Sequence, residues 1–115
     1  MNDGDRVQLD IDTAKHMISL KESLALLRKN KYFKEIIEEG YFKEEMNRLV
    51  MLKGAPAVTE EIERSTDKLL TGIAGLNMYF LNIDRRGTQM EAELPSYEAA
   101  REDILAEEIE DGGDE

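Results

Sequence analysis

Ile62, Leu69, Leu76 and Ile83 recur every seven residues, and Thr66, Ile73 and Phe80 occupy the positions between them. Seven residues make close to two helical turns, so this spacing lines apolar side chains along one side of a helix for about three heptads. Only Thr66 interrupts it. A segment patterned in this way must bury that side, and Ile62, Leu69, Ile73, Leu76, Phe80 and Ile83 are the expected interface residues. Thr59 supplies a capping hydroxyl and Glu60 and Glu61 place negative charge at the helix start. Arg85 and Arg86 followed by Gly87 read as its end.

Pro56 and Pro95 are the only prolines, which leaves long stretches where helices run uninterrupted. Upstream of Pro56, Phe33, Ile36, Ile37, Tyr41, Met46, Leu49, Val50 and Leu52 form a broad apolar stripe from Lys31 to Lys53, closed by Gly54. Gly40 lies inside it and marks a place for a break or kink. Glu39 with Lys43 and Glu44 with Arg48 are spaced for ion pairing along the helix. Five residues connect this stripe to the heptad segment, a length that suits adjacent antiparallel helices. The seam is thus expected inside the chain first, with a further face left for flanking helices or another copy.

Before the hairpin, Thr13 is placed to cap a helix, and Met17, Leu20, Leu24 and Leu27 follow at helical spacing and predict its end near Asn30. Val7, Leu9 and Ile11 alternate with polar residues, and with no second such segment to pair with, residues 1–12 read as an acidic extended arm. After the hairpin, residues 88–95 read as a linker. Ser96 then caps a short helix carrying Tyr97, Ala100, Ile104, Leu105 and Ile109. The expected organisation is an arm over 1–12, one helical domain over 13–110 and an acidic flexible tail over 111–115. The fold class is all-α: a helical hairpin, antiparallel and coiled-coil-like, with flanking short helices.

Charge narrows the function classes. The 115 residues carry 26 acidic and 15 basic side chains, a net charge of −11, and no cysteine. Disulfides, thiolate metal sites and cysteine nucleophiles are therefore excluded. Residues 15–53 hold nine basic against six acidic residues, and residues 54–115 hold five against sixteen. Tight nucleic-acid binding needs clustered Lys and Arg. The nearest such cluster is Arg28, Lys29, Lys31 and Lys34 beside Tyr32 and Phe33, which helix-end charge explains equally well, so direct nucleic-acid contact is not expected. The acidic start is unlike a signal peptide, and no run approaches the roughly 18 apolar residues that cross a bilayer. A cytoplasmic protein with no membrane contact is expected.

Nothing in the chain predicts catalysis or a cofactor. His16 is the sole histidine and has no nucleophile motif to serve. Asp10 with Asp12, and Glu107 with Glu108, are the densest carboxylates but match no calcium-loop spacing. Gly72 and Gly75 do not follow a strand or fit a phosphate loop, and are better explained by close helix packing.

The pattern Asn30, Tyr32, Phe33, Ile36, Ile37, Gly40, Tyr41, Phe42, Glu45, Arg48, Leu49 and Val50, continuing through Leu52 to Pro56, resembles small helical accessory proteins of tailed bacteriophages. Such proteins are encoded among virion-assembly and DNA-packaging genes. The resemblance spans residues 24–84 and implies a non-enzymatic assembly protein acting by protein–protein contact. It would form a homo-oligomer in the host cytoplasm or the virion. The charge balance supports an alternative: a small acidic inhibitor or nucleic-acid mimic that blocks a host nucleic-acid-binding protein through residues 98–115.

Overall fold

In the computed structural model, residues 2–113 are described and are all-α, with no strand among them. Helix α1 is Asp3–Lys29, α2 is Lys31–Phe33, a π-helical segment spans Lys34–Glu45, α3 is Met46–Lys53 and α4 is Glu60–Gly113. The chain divides into two compact units, residues 1–23 with 83–115 and residues 24–82.

The 24–82 unit is the expected antiparallel hairpin. Asn30 separates α1 from α2 by one extended residue, and its side-chain oxygen accepts from the backbone N–H groups of Tyr32 (2.9 Å) and Phe33 (3.1 Å). Thr59 caps α4 through its Oγ1, which accepts from the Ile62 N–H at 3.2 Å. Lys53 reaches Asp67 at 2.7 Å near the turn, and further along Phe33 and Phe42 both meet Phe80 edge-on, with ring centroids 5.8 and 6.0 Å away. Leu24, Leu49, Thr66 and Ile73 are the buried residues of this unit. Thr66 is accommodated because its hydroxyl donates to the Ile62 carbonyl at 2.7 Å, so no polar atom is left unpaired.

Gly40 does not break the helix over 31–53. It lies inside twelve residues of π-helix, a conformation usually limited to single turns. A Cβ at Gly40 would stand 3.0 Å from the Glu35 carbonyl oxygen, so the wider turn favours glycine there. Glu39 and Lys43 pair at 3.1 Å as expected. Arg48 engages Glu45, three residues back, through two hydrogen bonds of 2.5 and 3.1 Å.

The second unit corrects two expectations. Residues 3–12 are helical, not an extended arm. Asn2 caps α1 by accepting from the Asp5 N–H at 2.8 Å, and Asp3 and Asp5 sit at the positive helix end. Ile11 and Ala14 are fully buried, with Gly4, Val7, Ile18 and Lys21 partly buried at the same three-four spacing. Thr13 is therefore interior to α1 and does not cap it. Of the face assigned to α1 by sequence, Leu24 is buried and Met17 half-buried, but Leu20 and Leu27 are exposed.

The second correction concerns residues 88–95, which are helical too. Helix α4 continues through Gly87 and Pro95 to Gly113. Of the expected tail over 111–115, residues 111–113 are helical and 114–115 lie outside the described residues. Within the unit the two strands of helix run antiparallel: Gly4 lies near Ile104, Gln8 accepts from Arg101 at 3.5 Å, and Lys21 reaches Glu91 at 2.9 Å.

Gly87 explains why a stop signal does not stop the helix here. It is buried, and a Cβ placed on it would meet the Lys21 Cβ at 2.5 Å and Cδ at 2.8 Å. The glycine thus serves close approach of the helices and not a left-handed cap. Gly87→Ala should lower stability by about 1–2 kcal/mol, because overpacking outweighs the gain in helix propensity. Thermal unfolding checks this, and a raised midpoint would contradict the close approach.

Candidate interaction surface

The two units differ sharply in charge. Residues 1–23 and 83–115 contain seventeen acidic and six basic residues, so they carry the entire net charge of −11. Residues 24–82 contain nine of each and are neutral. Exposed large apolar side chains are divided in the opposite way. Among the described residues, four lie in the acidic unit (Leu9, Leu20, Leu105 and Ile109) and thirteen in the neutral one.

Five of those thirteen, Ile62, Leu69, Met78, Tyr79 and Leu81, belong to α4. Residues 69–83 contain no charged side chain, in a chain where 36% of residues are charged. A helix without charge on any side is normally buried on all sides. Here only one side is covered. Ile73 is buried and Leu70, Leu76 and Phe80 are half-buried, whereas Leu69, Thr71, Gly72, Ala74, Gly75, Asn77, Met78, Tyr79 and Leu81 are exposed. Nothing lies within 4 Å of where a Gly75 Cβ would be, and a Gly72 Cβ would meet only the Tyr41 hydroxyl, at 3.6 Å.

The six residues expected at the heptad interface are thereby sorted. Ile73 is core, at 4% exposure, and Phe80, Leu76 and Ile83 are half-buried. Ile62 and Leu69 remain outside, at 40% and 54% exposure. The row through Thr66, Ile73 and Phe80 points inward, and the seven-residue row beside it is its flank. Gly72 and Gly75, expected from the sequence to allow close helix packing, have no other helix backbone within 4 Å of a Cβ placed there, and they lie with Met78 and Tyr79 on the exposed outer side of α4. Its signal is the absence of charge over fifteen positions, which a search for apolar repeats passes over.

A shallow groove lies on the same unit, lined by Ile36, Ile37, Gly40, Tyr41, Glu44, Glu45 and Arg48. Its rim is the Glu45–Arg48 pair. The hydrogen bond from Arg48 holds the Glu45 carboxyl below its usual range, and Glu45 in turn raises Arg48. Both groups are solvent-exposed, so the pair orients the rim more than it stabilises the fold.

The other sequence candidates are not assembled into a site. His16 is exposed on α1. Asp10 and Asp12, two apart on a helix, project to different sides and cannot converge on one ion; Asp12 accepts from Gln8 at 2.9 Å. Among the described residues no group of three or more His, Asp or Glu is placed to hold a metal. No buried side-chain donor or acceptor there lacks a partner. In the basic run, Arg28 and Lys29 lie in the last turn of α1, where the helix dipole favours positive charge, and the Lys31 ammonium sits 4.9 Å from the Tyr32 ring centroid. No described helix is long and apolar enough to cross a membrane. No family model, curated protein or solved structure matches the chain.

Proposed function

We propose that this chain is a non-enzymatic helical interaction protein that works through apolar helix faces, as an accessory in phage particle assembly or DNA packaging. The observation that carries the contact role is the uncharged, exposed outer side of α4 over residues 69–82. Leaving so much apolar helix surface in water is unusual for a monomer and marks an interaction site. The phage setting rests on the resemblance over residues 24–84. The host cytoplasm and the virion are the compartments that go with it.

A second reading is favoured by the −11 charge of the other unit: a small acidic inhibitor or nucleic-acid mimic that holds a basic partner. The two readings differ in where binding energy resides. Apolar interfaces depend on a few buried anchors, whereas exposed charges steer binding and are screened by salt.

The test takes a partner captured from the host, then purified, and measures its affinity for three chains. For an assembly accessory, removing residues 107–115 leaves binding within a few-fold, while Met78→Glu weakens it by more than about tenfold, roughly 1.4 kcal/mol. For the inhibitor, the truncation cripples binding, added salt does the same, and Met78→Glu is silent.

A further inference from the structure

We infer that the uncharged outer side of α4 is a self-association surface whose occupant is the same surface of a second copy, with Gly75 at its centre. This deepens the interaction reading above and rests on it.

Three observations select a second copy. The first is charge. Two copies of a −11 chain repel each other, and all of that net charge lies in residues 1–23 and 83–115. Residues 24–82 are neutral and present fourteen uncharged positions in a row, 69–82, so they are the one region where copies can meet without that penalty.

The second is shape. An interior helical glycine is costly unless it lets another backbone come close. Beyond the backbone of its own helix, a Cβ at Gly75 would have no neighbour within 4 Å, and one at Gly72 would have only the tip of Tyr41. The third is self-complementarity. With two α4 helices antiparallel about Gly75, Met78 of each copy falls over Gly72 of the other and Tyr79 over Thr71, large against small. Lys68, which borders the patch, meets the uncharged Asn82. A two-fold contact of this kind presents the same patch on both subunits.

Sedimentation equilibrium of the full chain tests this, using wild type and Gly75→Glu at about 0.1 M and about 1 M NaCl. The screening length falls over that range from about 10 Å to about 3 Å. Wild type is expected to dimerise at micromolar concentration and to dimerise more tightly in the higher salt, because screening relieves the repulsion between acidic units. Gly75→Glu sets two carboxylates against each other on the axis and should weaken the dimer by at least about a hundredfold.

The variant also keeps the fold interpretable. Glutamate forms helix better than glycine and its Cβ would enter open space, so circular dichroism should show undiminished helix and an equal or higher melting point. A wild-type chain monomeric up to about 100 µM, or a Gly75→Glu chain that associates like wild type, overturns the inference. If wild type is monomeric but binds a purified foreign partner that Gly75→Glu no longer binds, the interaction role survives and the second copy is refuted.

Discussion

Ile73→Asp is expected to unfold the 24–82 hairpin, while Leu69→Asp, four residues earlier, should cost less than about 1 kcal/mol. Both residues belong to the same heptad pattern, and spacing alone ranks them equally. Burial separates them. Ile73 is 4% exposed between Thr66 and Phe80 in the inward row, whereas Leu69 is 54% exposed on the flank. An aspartate at 73 removes an apolar side chain from the core and leaves a carboxylate there with no partner, at a cost of several kcal/mol. That approaches the whole of a typical domain stability of about 5–15 kcal/mol. Leu76→Asp should fall between the two, since Leu76 is half-buried. Helicity followed through chemical denaturation measures all three. Equal loss from Leu69→Asp and Ile73→Asp would mean that both rows face the core.

This comparison shows how far the sequence was legible. The hairpin, its capping by Thr59 and its antiparallel pairing all follow from local signals that agree with one another, whereas Asn30, which the sequence marks only as the end of the first helix, caps the second. Stop signals misled where a residue serves two purposes. Arg85, Arg86 and Gly87 resemble a helix end, yet the seven-residue spacing does not end with Ile83. Met90, Tyr97 and Ile104 continue one row, and Gly87, Leu94 and Arg101 continue the other, all buried or half-buried. The second row goes unnoticed because a glycine and an arginine do not register as apolar.

The start of α1 is hidden in the same way. Its inward positions include Gly4, Ala14 and Lys21, whereas the more visible alternation of Val7, Leu9 and Ile11 suggests a strand. The π-helical turn geometry over 34–45 has no sequence signal beyond Gly40. The candidate surface on α4 was legible, but as missing charge and not as a motif.

Pro95→Ala should raise stability by about 3 kcal/mol, the usual difference between the two residues inside a helix. For a chain of this size that is a midpoint increase of roughly 10 °C. Pro95 lies within α4, eighteen residues before its end at Gly113. It has no N–H to offer the Glu91 carbonyl, and its ring crowds the preceding turn. The residue is exposed, so alanine removes no core contact. A side-chain brace spans the weak point: the Tyr97 hydroxyl donates to Glu93 at 2.8 Å, and the Gln89 amide donates to the other Glu93 oxygen at 3.1 Å. Those bonds, Tyr97 first, lower the Glu93 pKa, and the bond to Glu93 raises that of Tyr97.

The signs fix when the brace holds. Its Glu93 part is present above the unfolded carboxylate pKa and lost as pH falls through the lowered folded value. Its Tyr97 part is present below the unfolded phenol pKa and lost as pH rises through the raised folded value. The brace is therefore intact from about pH 5 to about pH 9. Tyr97→Phe should consequently cost more beside Pro95 than in the Pro95→Ala background, a coupling that a double-mutant cycle at neutral pH reads directly. A midpoint unchanged or lowered by Pro95→Ala would mean that α4 does not pass through residue 95 as one continuous helix.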